Sequence, residues 1–248
     1  MSYLVIVSNR GPFSFSEDFL REAEECLKKG TQPAAPSFGE GGLVQAMAGL
    51  LKPGKWDTTW IGASMGEYDI DVTRGHYTRI FKNMRKAKYA PDYFPHIEIK
   101  RDGRMHFKYR GYDFYMRFVF FDTKHMHSYY RKFANGFLWP LMHLTRPPLF
   151  YKKTPVFPRP HFVNNDFVQY TSSSVTFANT IIDETRKTKE LRKDKDPIVI
   201  WNQDYHLMRI AGVYKALLEE EGVSEKEKQK IHVGQFIHTP FFNIHEIQ

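Results

Sequence analysis

Three residues of this sequence carry a charge or an imidazole at the point where an apolar run ends. Arg10, Asp204 and His238 each come shortly after a run rich in Val, Ile, Leu or Phe. Such runs predict buried strands of a parallel sheet, because they are short and bounded by turn-forming residues. Ligands of open parallel sheets bind outside the carboxyl ends of the strands. The three side chains therefore predict a ligand site at one edge of an α/β sheet.

The chemistry of each side chain leaves alternatives open. The guanidinium of Arg10 can bind a phosphate through two hydrogen bonds, although a plain surface arginine is the commoner case. Asp204 can accept hydrogen bonds from sugar hydroxyls, or it can cap a helix that begins near Tyr205. His238 can contact a reacting group, or it can be an ordinary core histidine.

Glycines precede a predicted helix in the segment 39–42. Consecutive glycines leave backbone N–H groups uncovered at the positive end of a helix, where an anionic oxygen can approach. A flexible loop is an equally good interpretation, since the segment matches neither a Walker loop nor a G-x-G-x-x-G fingerprint. The glycines at 62 and 66 are assigned to a turn.

Other catalytic chemistries find little support in the sequence. The tightest histidine pair, His125 and His127, has no Cys or carboxylate at ligand spacing, so we expect no metal site and no cofactor. The G-x-S-x-G pattern at 62–66 is assigned to a turn rather than to a nucleophile elbow, and the single cysteine, Cys26, lies in a predicted amphipathic helix.

Length, hydrophobic content and cysteine count limit the classes of protein to which this sequence can belong. The 248 residues, 42 % of them hydrophobic, are enough for one large domain spanning 1–248. One cysteine excludes an intramolecular disulfide and fits a reducing compartment. No apolar run approaches the roughly 20 residues that span a bilayer, and the start lacks a signal-peptide pattern. We therefore expect a soluble, cytoplasmic protein that uses no membrane.

The formal net charge of +8 favours an anionic partner. The most basic segment, 82–88, is typical of a solvated helix or loop face. Because no helix-turn-helix, zinc-finger or ribonucleoprotein signature accompanies it, we expect no nucleic-acid partner.

Hydrophobic patterning predicts a Rossmann-like α/β fold, a parallel sheet flanked by helices. The strands predicted for the parallel part are 3–8, 198–201 and 232–237. The predicted helices are 16–29, 43–50, 128–144, 165–189 and one through 207–218. In the middle of the chain, 77–81, 96–100, 104–109 and 114–121 predict further strands, two of them joined at Asp102-Gly103 as a hairpin. We therefore expect an antiparallel β insertion at about 76–122.

Five short motifs and the order in which they occur resemble the trehalose-6-phosphate synthase family. Members of that family are retaining glycosyltransferases of the GT-B class. They are VIVSNR at 5–10, GGL at 41–43, YYRKFANGFLWP at 129–140, WNQDYHL at 201–207 and HTPF at 238–241. Each is short, but their shared order makes chance a poor explanation. Gln203 stands where the family usually has His, and Phe242 where it usually has Pro. The resemblance implies the N-terminal, acceptor-side half of a GT-B fold.

The resemblance also implies a pocket for a sugar-phosphate acceptor such as glucose 6-phosphate. Its substrate-binding residues would be Arg10, Tyr130, Trp139, Asp204 and Tyr205. In this assignment Arg10 and Tyr130 lie toward the phosphate and Asp204 toward the hydroxyls. A cation suits a phosphate, and an aromatic wall suits the apolar face of a sugar. Glycerol phosphate or another phosphorylated polyol is an alternative acceptor.

On the donor side, the resemblance implies that Gly41 and Gly42 close over the diphosphate of a nucleoside-diphosphate glucose, and that His238 lies beside the donor glucose. Asp204 and His238 are the implied catalytic residues. In the implied mechanism the acceptor hydroxyl attacks from the face that the nucleoside diphosphate leaves, and that diphosphate helps to remove the proton. Asp204 would position the acceptor rather than attack, unlike the paired carboxylates of hydrolases.

The implied function is that of the N-terminal half of a glucosyltransferase that acts on a sugar phosphate in trehalose biosynthesis. A noncatalytic sugar-phosphate-binding or regulatory module is the alternative. Because the sequence ends at Gln248, soon after the fifth motif, we expect the C-terminal nucleotide-sugar domain to be absent from this chain. We expect that domain from a partner subunit, or self-association through the apolar surface left exposed.

Overall fold

The computed structural model describes residues 2–31, 47–54, 56–86, 95–142, 163–192 and 197–237. Seven strands form one mixed sheet in these ranges. They are β1 (Tyr3–Arg10), β2 (Asp57–Ala63), β3 (His96–Ile99), β4 (Met105–Tyr109), β5 (Tyr112–Val119), β6 (Ile198–Gln203) and β7 (Ile231–Phe236). Their order across the sheet is β3-β4-β5-β2-β1-β6-β7.

Helices connect and cover the strands. The α-helices are α1 (Glu17–Lys29), α2 (Asp69–Thr73), α3 (Thr78–Lys86), α4 (Thr123–Met126), α5 (Trp139–Met142), α6 (Asn164–Arg192), α7 (Ile210–Glu220) and α8 (Glu225–Lys228). A π-helix, His127–Leu138, joins α4 to α5, and short 3₁₀ turns lie at Ala48–Leu51 and Tyr205–Leu207. Within the described ranges no helix is both long and apolar enough to cross a membrane.

The parallel part of the sheet contains β5, β2, β1, β6 and β7, so the carboxyl ends of these five strands share one edge. β4 pairs antiparallel with β5, and β3 pairs antiparallel with β4 at the edge of the sheet. The predicted α/β class with a parallel sheet and an antiparallel part is confirmed, and so is the hairpin at Asp102-Gly103, which joins β3 to β4.

Two apolar layers hold the sheet between helices. On one face, side chains of β1, β2, β4 and β5 pack with α1, α3 and a cluster of phenylalanines that includes Phe13, Phe15 and Phe107. On the other face, Val5 and Ile200 pack with α6 and α7 through Phe177 and Ile181. The predicted long helix therefore uses the face expected of it, and α1 has the expected ends: a Ser16 cap and Gly30 at φ 65°.

Two predictions for the middle of the chain are wrong. The segment 77–81 is not a strand, because α3 runs Thr78–Lys86 and buries Phe81 and Met84 at helical spacing. Gly62 does not lie in a turn but in β2, a central strand that the sequence patterns missed. Two threonines obscured the apolar run of β2. Both are buried, since Thr58 donates to the Leu50 carbonyl and Thr59 donates to the carboxylate of Glu184.

Candidate functional site

The strand order creates a crevice at the ends of β1 and β6. After β1 the chain continues to α1 and then to β2, which pairs with one side of β1. β6 pairs with the other side of β1. Such a reversal of strand order is where open α/β sheets bind their ligands. Arg10 is the last residue of β1 and Asp204 directly follows β6, so both predicted residues lie at this crevice.

Asp204 is held in a backbone conformation that costs energy. Its φ of 69° and ψ of 170° lie in a region that glycine alone adopts freely, at a cost of about 1–3 kcal/mol for other residues. The surroundings hold it there: its N–H donates to the Phe236 carbonyl at 2.6 Å, and Gln235 donates to its own carbonyl at 3.0 Å. The carboxylate Oδ1 accepts the Tyr205 N–H at 2.9 Å. The cap alternative is therefore confirmed, and Oδ2 lies 3.7 Å from His206 Nδ1.

Arg10 and Tyr130 form the cationic side of the crevice. Arg10 Nη2 donates to the Tyr130 hydroxyl at 2.7 Å, and the guanidinium carbon lies 5.5 Å from the centre of the ring. Arg10 is nevertheless exposed, so further N–H groups of its fork are open to an anionic ligand. Beside it, residues 10–14 with Ala63 and Met65 line an open cleft of about 360 Å³.

An aromatic stack links this cationic side to Asp204. The ring of His206 stacks on Tyr130, with centroids 5.3 Å apart and planes at 25°. The Tyr205 hydroxyl and His206 Nε2 both meet Asn135 Oδ1, at 2.7 Å and 3.1 Å. Burial, together with the nearby Arg10 cation, lowers the pKa of His206 to about 3, so the ring is neutral at physiological pH. Burial raises the pKa of the Tyr205 hydroxyl, which stays protonated.

The π-helix is fastened to the sheet beneath this site. The hydroxyl of fully buried Tyr129 donates to Asn9 Oδ1 at 2.6 Å, one residue before the Arg10 contact of Tyr130. From α6, Tyr170 donates to the Tyr205 carbonyl at 2.8 Å. Consecutive residues of the helix thus contact consecutive residues of β1, which fixes Tyr130 over Arg10.

The predicted site residues fall into three groups. Arg10, Tyr130, Asp204 and Tyr205 come together as described. Trp139 lies nine residues beyond Tyr130 at the start of α5, with 40 % of its surface exposed. The i→i+5 bonding of a π-helix makes nine residues about two turns, which keeps Trp139 on the general side of Tyr130. The donor-side residues Gly41, Gly42 and His238 lie outside the described residues, as does the first half of the predicted helix 43–50. The second half of that prediction lies mainly in the 3₁₀ turn Ala48–Leu51.

Sequence reasoning missed Asn135 and His206. Both lie inside the motifs at 129–140 and 201–207, so the motif boundaries contained them, but nothing in their spacing indicated that they would meet. For metals, no group of three or more His, Cys, Asp or Glu side chains with suitable placement occurs in the part of the chain that the structure describes.

Comparison with known proteins shows the family to which the chain belongs. The profile of glycosyltransferase family 20 matches residues 2–247. The UDP-forming alpha,alpha-trehalose-phosphate synthase of Pichia angusta is 26 % identical over 241 residues, which are 96 % of this chain and 37 % of that protein. The UDP-forming alpha,alpha-trehalose-phosphate synthase 2 of Aspergillus fumigatus is 29 % identical over 178 residues, or 71 % and 32 % of the two chains.

Among solved structures, the trehalose 6-phosphate synthase from Burkholderia multivorans aligns with a TM-score of 0.50 at 21 % identity, covering 99 % of this chain and 36 % of that one. This likeness shows the fold, a GT-B type α/β architecture with its crevice at the carboxyl ends of β1 and β6. Because the family profile matches nearly the whole length of this chain, the chain belongs to glycosyltransferase family 20. It spans about a third of the length of the relatives that it matches.

Proposed function

We propose that this chain is the acceptor-binding part of a retaining glucosyltransferase that transfers glucose from UDP-glucose to a sugar phosphate. The observation that carries the proposal is the pairing of Arg10 with Tyr130 beside the carboxylate of Asp204, at the carboxyl ends of adjacent parallel strands. A sugar phosphate needs a cation at one end and hydrogen-bond acceptors for its hydroxyls at the other. The names of the curated relatives, UDP-forming trehalose-phosphate synthases, support the choice of donor and product.

In the proposed complex each described residue has a separate task. Arg10 binds the phosphate through the free part of its guanidinium fork, and the Tyr130 hydroxyl, which accepts from Arg10, donates its own proton to a phosphate oxygen. Asp204 orients the acceptor hydroxyls. Trp139 and Tyr205 provide aromatic walls for the sugar. Glucose 6-phosphate is the proposed acceptor, in keeping with the names of the relatives, and a phosphorylated polyol is the alternative.

Donor chemistry is assigned to residues outside the described ranges. Gly41 and Gly42 would cover the diphosphate with backbone N–H groups, and His238 would lie beside the donor glucose. Met47, just after the glycine segment, contacts the end of β6, where Gln203 Nε2 lies 3.4 Å from its sulfur. This contact supports placing the glycine segment next to the crevice. The remaining contacts to the nucleotide would come from a C-terminal GT-B domain or subunit, and self-association is the alternative partner.

Two measurements test the proposal. Calorimetric titration of this chain with glucose 6-phosphate should show saturable binding, which glucose alone should not reproduce because it lacks the phosphate. Coexpression with a chain that supplies the remaining two thirds of a family member should then yield transfer from UDP-glucose to glucose 6-phosphate. Binding without any transfer would support the noncatalytic sugar-phosphate-binding module instead. Absence of binding to every phosphosugar would overturn both.

A further inference from the structure

The π-helix at His127–Leu138 brings together side chains that an α-helix would separate. Tyr130 stacks on the ring of His206 at 5.3 Å, and Asn135, five residues later, lies 3.1 Å from Nε2 of the same ring. In an α-helix of about 3.6 residues per turn, residues five apart point about 140° away from each other around the axis. In a π-helix, whose hydrogen bonds run from i to i+5, they lie about one turn apart and share a face.

Hydrogen bonding and burial both show this wide register. At the end of the helix the Trp139 N–H donates to the Ala134 carbonyl, five residues earlier. A Cβ at Gly136 would lie 3.1 Å from the carbonyl oxygen of Arg131, which is also five residues earlier, so glycine suits this position. The buried residues would spread over most of the circumference of an α-helix but share one side of a π-helix. They are Ser128, Tyr129, Phe133, Ala134 and Leu138.

The helix connects the two strands that border the crevice. At one turn Tyr129 donates to Asn9 and Arg10 donates to Tyr130, which fastens the helix to β1. At the next turn Asn135 contacts the 3₁₀ turn that follows β6. Both sets of contacts form at once because residues five apart lie on the same face of the helix.

Asn135 holds two rings through one atom. Its Oδ1 accepts the Tyr205 hydroxyl at 2.7 Å and lies 3.1 Å from His206 Nε2. An amide oxygen only accepts, so Nε2 carries a proton and donates to it. The ring of His206 is neutral and has one N–H, because burial and the Arg10 cation lower its pKa to about 3. Asn135 therefore fixes the tautomer of His206 as well as the position of both rings.

We propose that the π register assembles the acceptor pocket, and that Asn135 is the positioning residue that holds Tyr205 and His206 against Tyr130. This inference rests on the proposed function, because it names what gives the same pocket its shape. In an α register Asn135 would turn away from His206, and the Tyr205 hydroxyl would lose its acceptor. An aromatic wall that is already fixed lowers the entropic cost of binding a sugar.

Two NMR measurements on the ligand-free wild-type chain test the geometry, and neither needs a variant to fold. Scalar couplings across hydrogen bonds should connect the Trp139 amide nitrogen with the Ala134 carbonyl carbon. A coupling to the Asn135 carbonyl instead would mean an α register and would overturn the inference. Nitrogen NMR of the His206 ring should show its proton on Nε2. A proton on Nδ1 alone would mean that the amide oxygen of Asn135 does not face the ring, which would also overturn it.

Three variants connect this geometry with binding. Asn135→Leu keeps the approximate size of the side chain but removes the acceptor, whereas Asn135→Asp keeps an accepting oxygen. Lys132→Ala, on the exposed face of the same helix, is the matched control. In calorimetry Asn135→Leu should bind glucose 6-phosphate roughly 3- to 10-fold more weakly than wild type, and its His206 ring should show a mixture of tautomers. Asn135→Asp should keep the Nε2 proton, and Lys132→Ala should change neither the affinity nor the tautomer.

The outcomes distinguish this inference from the proposed function. If glucose 6-phosphate binds and Arg10→Ala weakens it, but Asn135→Leu binds as tightly as Lys132→Ala, the pocket stands and the positioning role of Asn135 falls. If no phosphosugar binds the wild-type chain, the proposed function fails and takes the inference with it.

Discussion

The guanidinium of Arg10 donates to the hydroxyl of Tyr130 at 2.7 Å while Arg10 itself stays exposed. One side of its fork is held by the π-helix and the other side is open to the crevice. A cation that is held in place yet accessible has lost part of its side-chain freedom before a ligand arrives, which favours binding of an anion.

Replacing Arg10 by Ala should weaken glucose 6-phosphate binding by roughly 1.5–3 kcal/mol, the scale of a hydrogen bond to a charged group. Tyr130→Phe should cost less, about 0.5–1.5 kcal/mol, because a neutral donor is lost. Calorimetry measures both. Arg21→Ala is the matched control, since Arg21 is exposed on α1 and pairs with Asp18 within that helix. Unchanged affinity in Arg10→Ala would remove the phosphate role.

Stability should decrease as the pH is lowered, because of His206. The pKa of this histidine drops from 6.5 to about 3 on folding, because burial and the Arg10 cation oppose its protonation. Between these values the unfolded chain binds a proton that the folded chain does not, so the free energy of unfolding rises with pH. The contribution is complete above pH 6.5 and is lost progressively as the pH falls toward 3.

Urea unfolding at several pH values tests this expectation. From pH 6.5 to about pH 5, His206 should account for a loss of about 1–2 kcal/mol in wild type, and His206→Gln should lack that part of the slope. His125, whose pKa burial also lowers, contributes in both proteins and cancels in the difference. His232→Gln, on the exposed strand β7, is the control variant. Equal slopes in wild type and His206→Gln would contradict the neutral buried ring.

Glu184 should matter for stability and not for binding. This fully buried carboxylate on α6 accepts from Tyr3 at 2.6 Å and Thr59 at 2.9 Å, and it pairs with Arg117 at 3.3 Å and Arg104 at 3.6 Å. Glu184→Gln removes the buried carboxylate from two mostly buried guanidinium groups, while Arg104 keeps Asp102 at 2.7 Å and Arg117 keeps Asp183 at 3.7 Å. The loss of the charged hydrogen-bond acceptor should cost about 1.5–3 kcal/mol of unfolding free energy.

Its neighbour Asp183 provides a close control. Asp183 also lies near Arg117, at 3.7 Å, but its side chain is 59 % exposed. Asp183→Asn should therefore change the free energy of unfolding by less than about 1 kcal/mol. Chemical denaturation of both variants measures the contrast, and glucose 6-phosphate affinity of the folded protein should be unchanged in each. Similar stability losses in the two variants would show that burial is not the deciding factor.

Gly62→Ala should disturb the crevice through the backbone. A Cβ at this position in β2 would lie 2.7 Å from the Gly11 nitrogen and 2.9 Å from its Cα, so the loop after Arg10 would have to move. We expect a loss of about 1–3 kcal/mol in stability and weaker phosphosugar binding. Gly212→Ala in α7 meets nothing within 4 Å and should stabilise the helix by about 0.5–1 kcal/mol. Thermal unfolding measures the stability of both variants, and calorimetry measures their phosphosugar affinity.

Local patterns predicted most of the sheet and the position of Arg10 and Asp204 at its edge, and the errors have physical causes. β1 and β6 were found because their apolar runs are continuous, and Arg10 and Asp204 because they end those runs. β2 was missed because its threonines find polar partners within the core, which no local pattern reveals.

The segment 77–81 was predicted as a strand, although the structure has the start of α3 there, because its run of large side chains is short. Five residues with large side chains fit a strand as well as a helix, and only the packing of Phe81 and Met84 against the core decides between them. The meeting of Asn135 with His206 likewise depends on how the π-helix docks on β1 and β6, contacts that join residues 71 positions apart. Sequence spacing cannot predict contacts of that kind.

The strained backbone of Asp204 places the stability of the fold and the binding of a ligand in conflict during evolution of this chain. Glycine at 204 would relax φ 69° and ψ 170° and make the fold more robust, yet it would delete the carboxylate from the crevice. Selection for heat resistance alone should therefore enrich Gly at this position, whereas selection for acceptor binding should keep Asp.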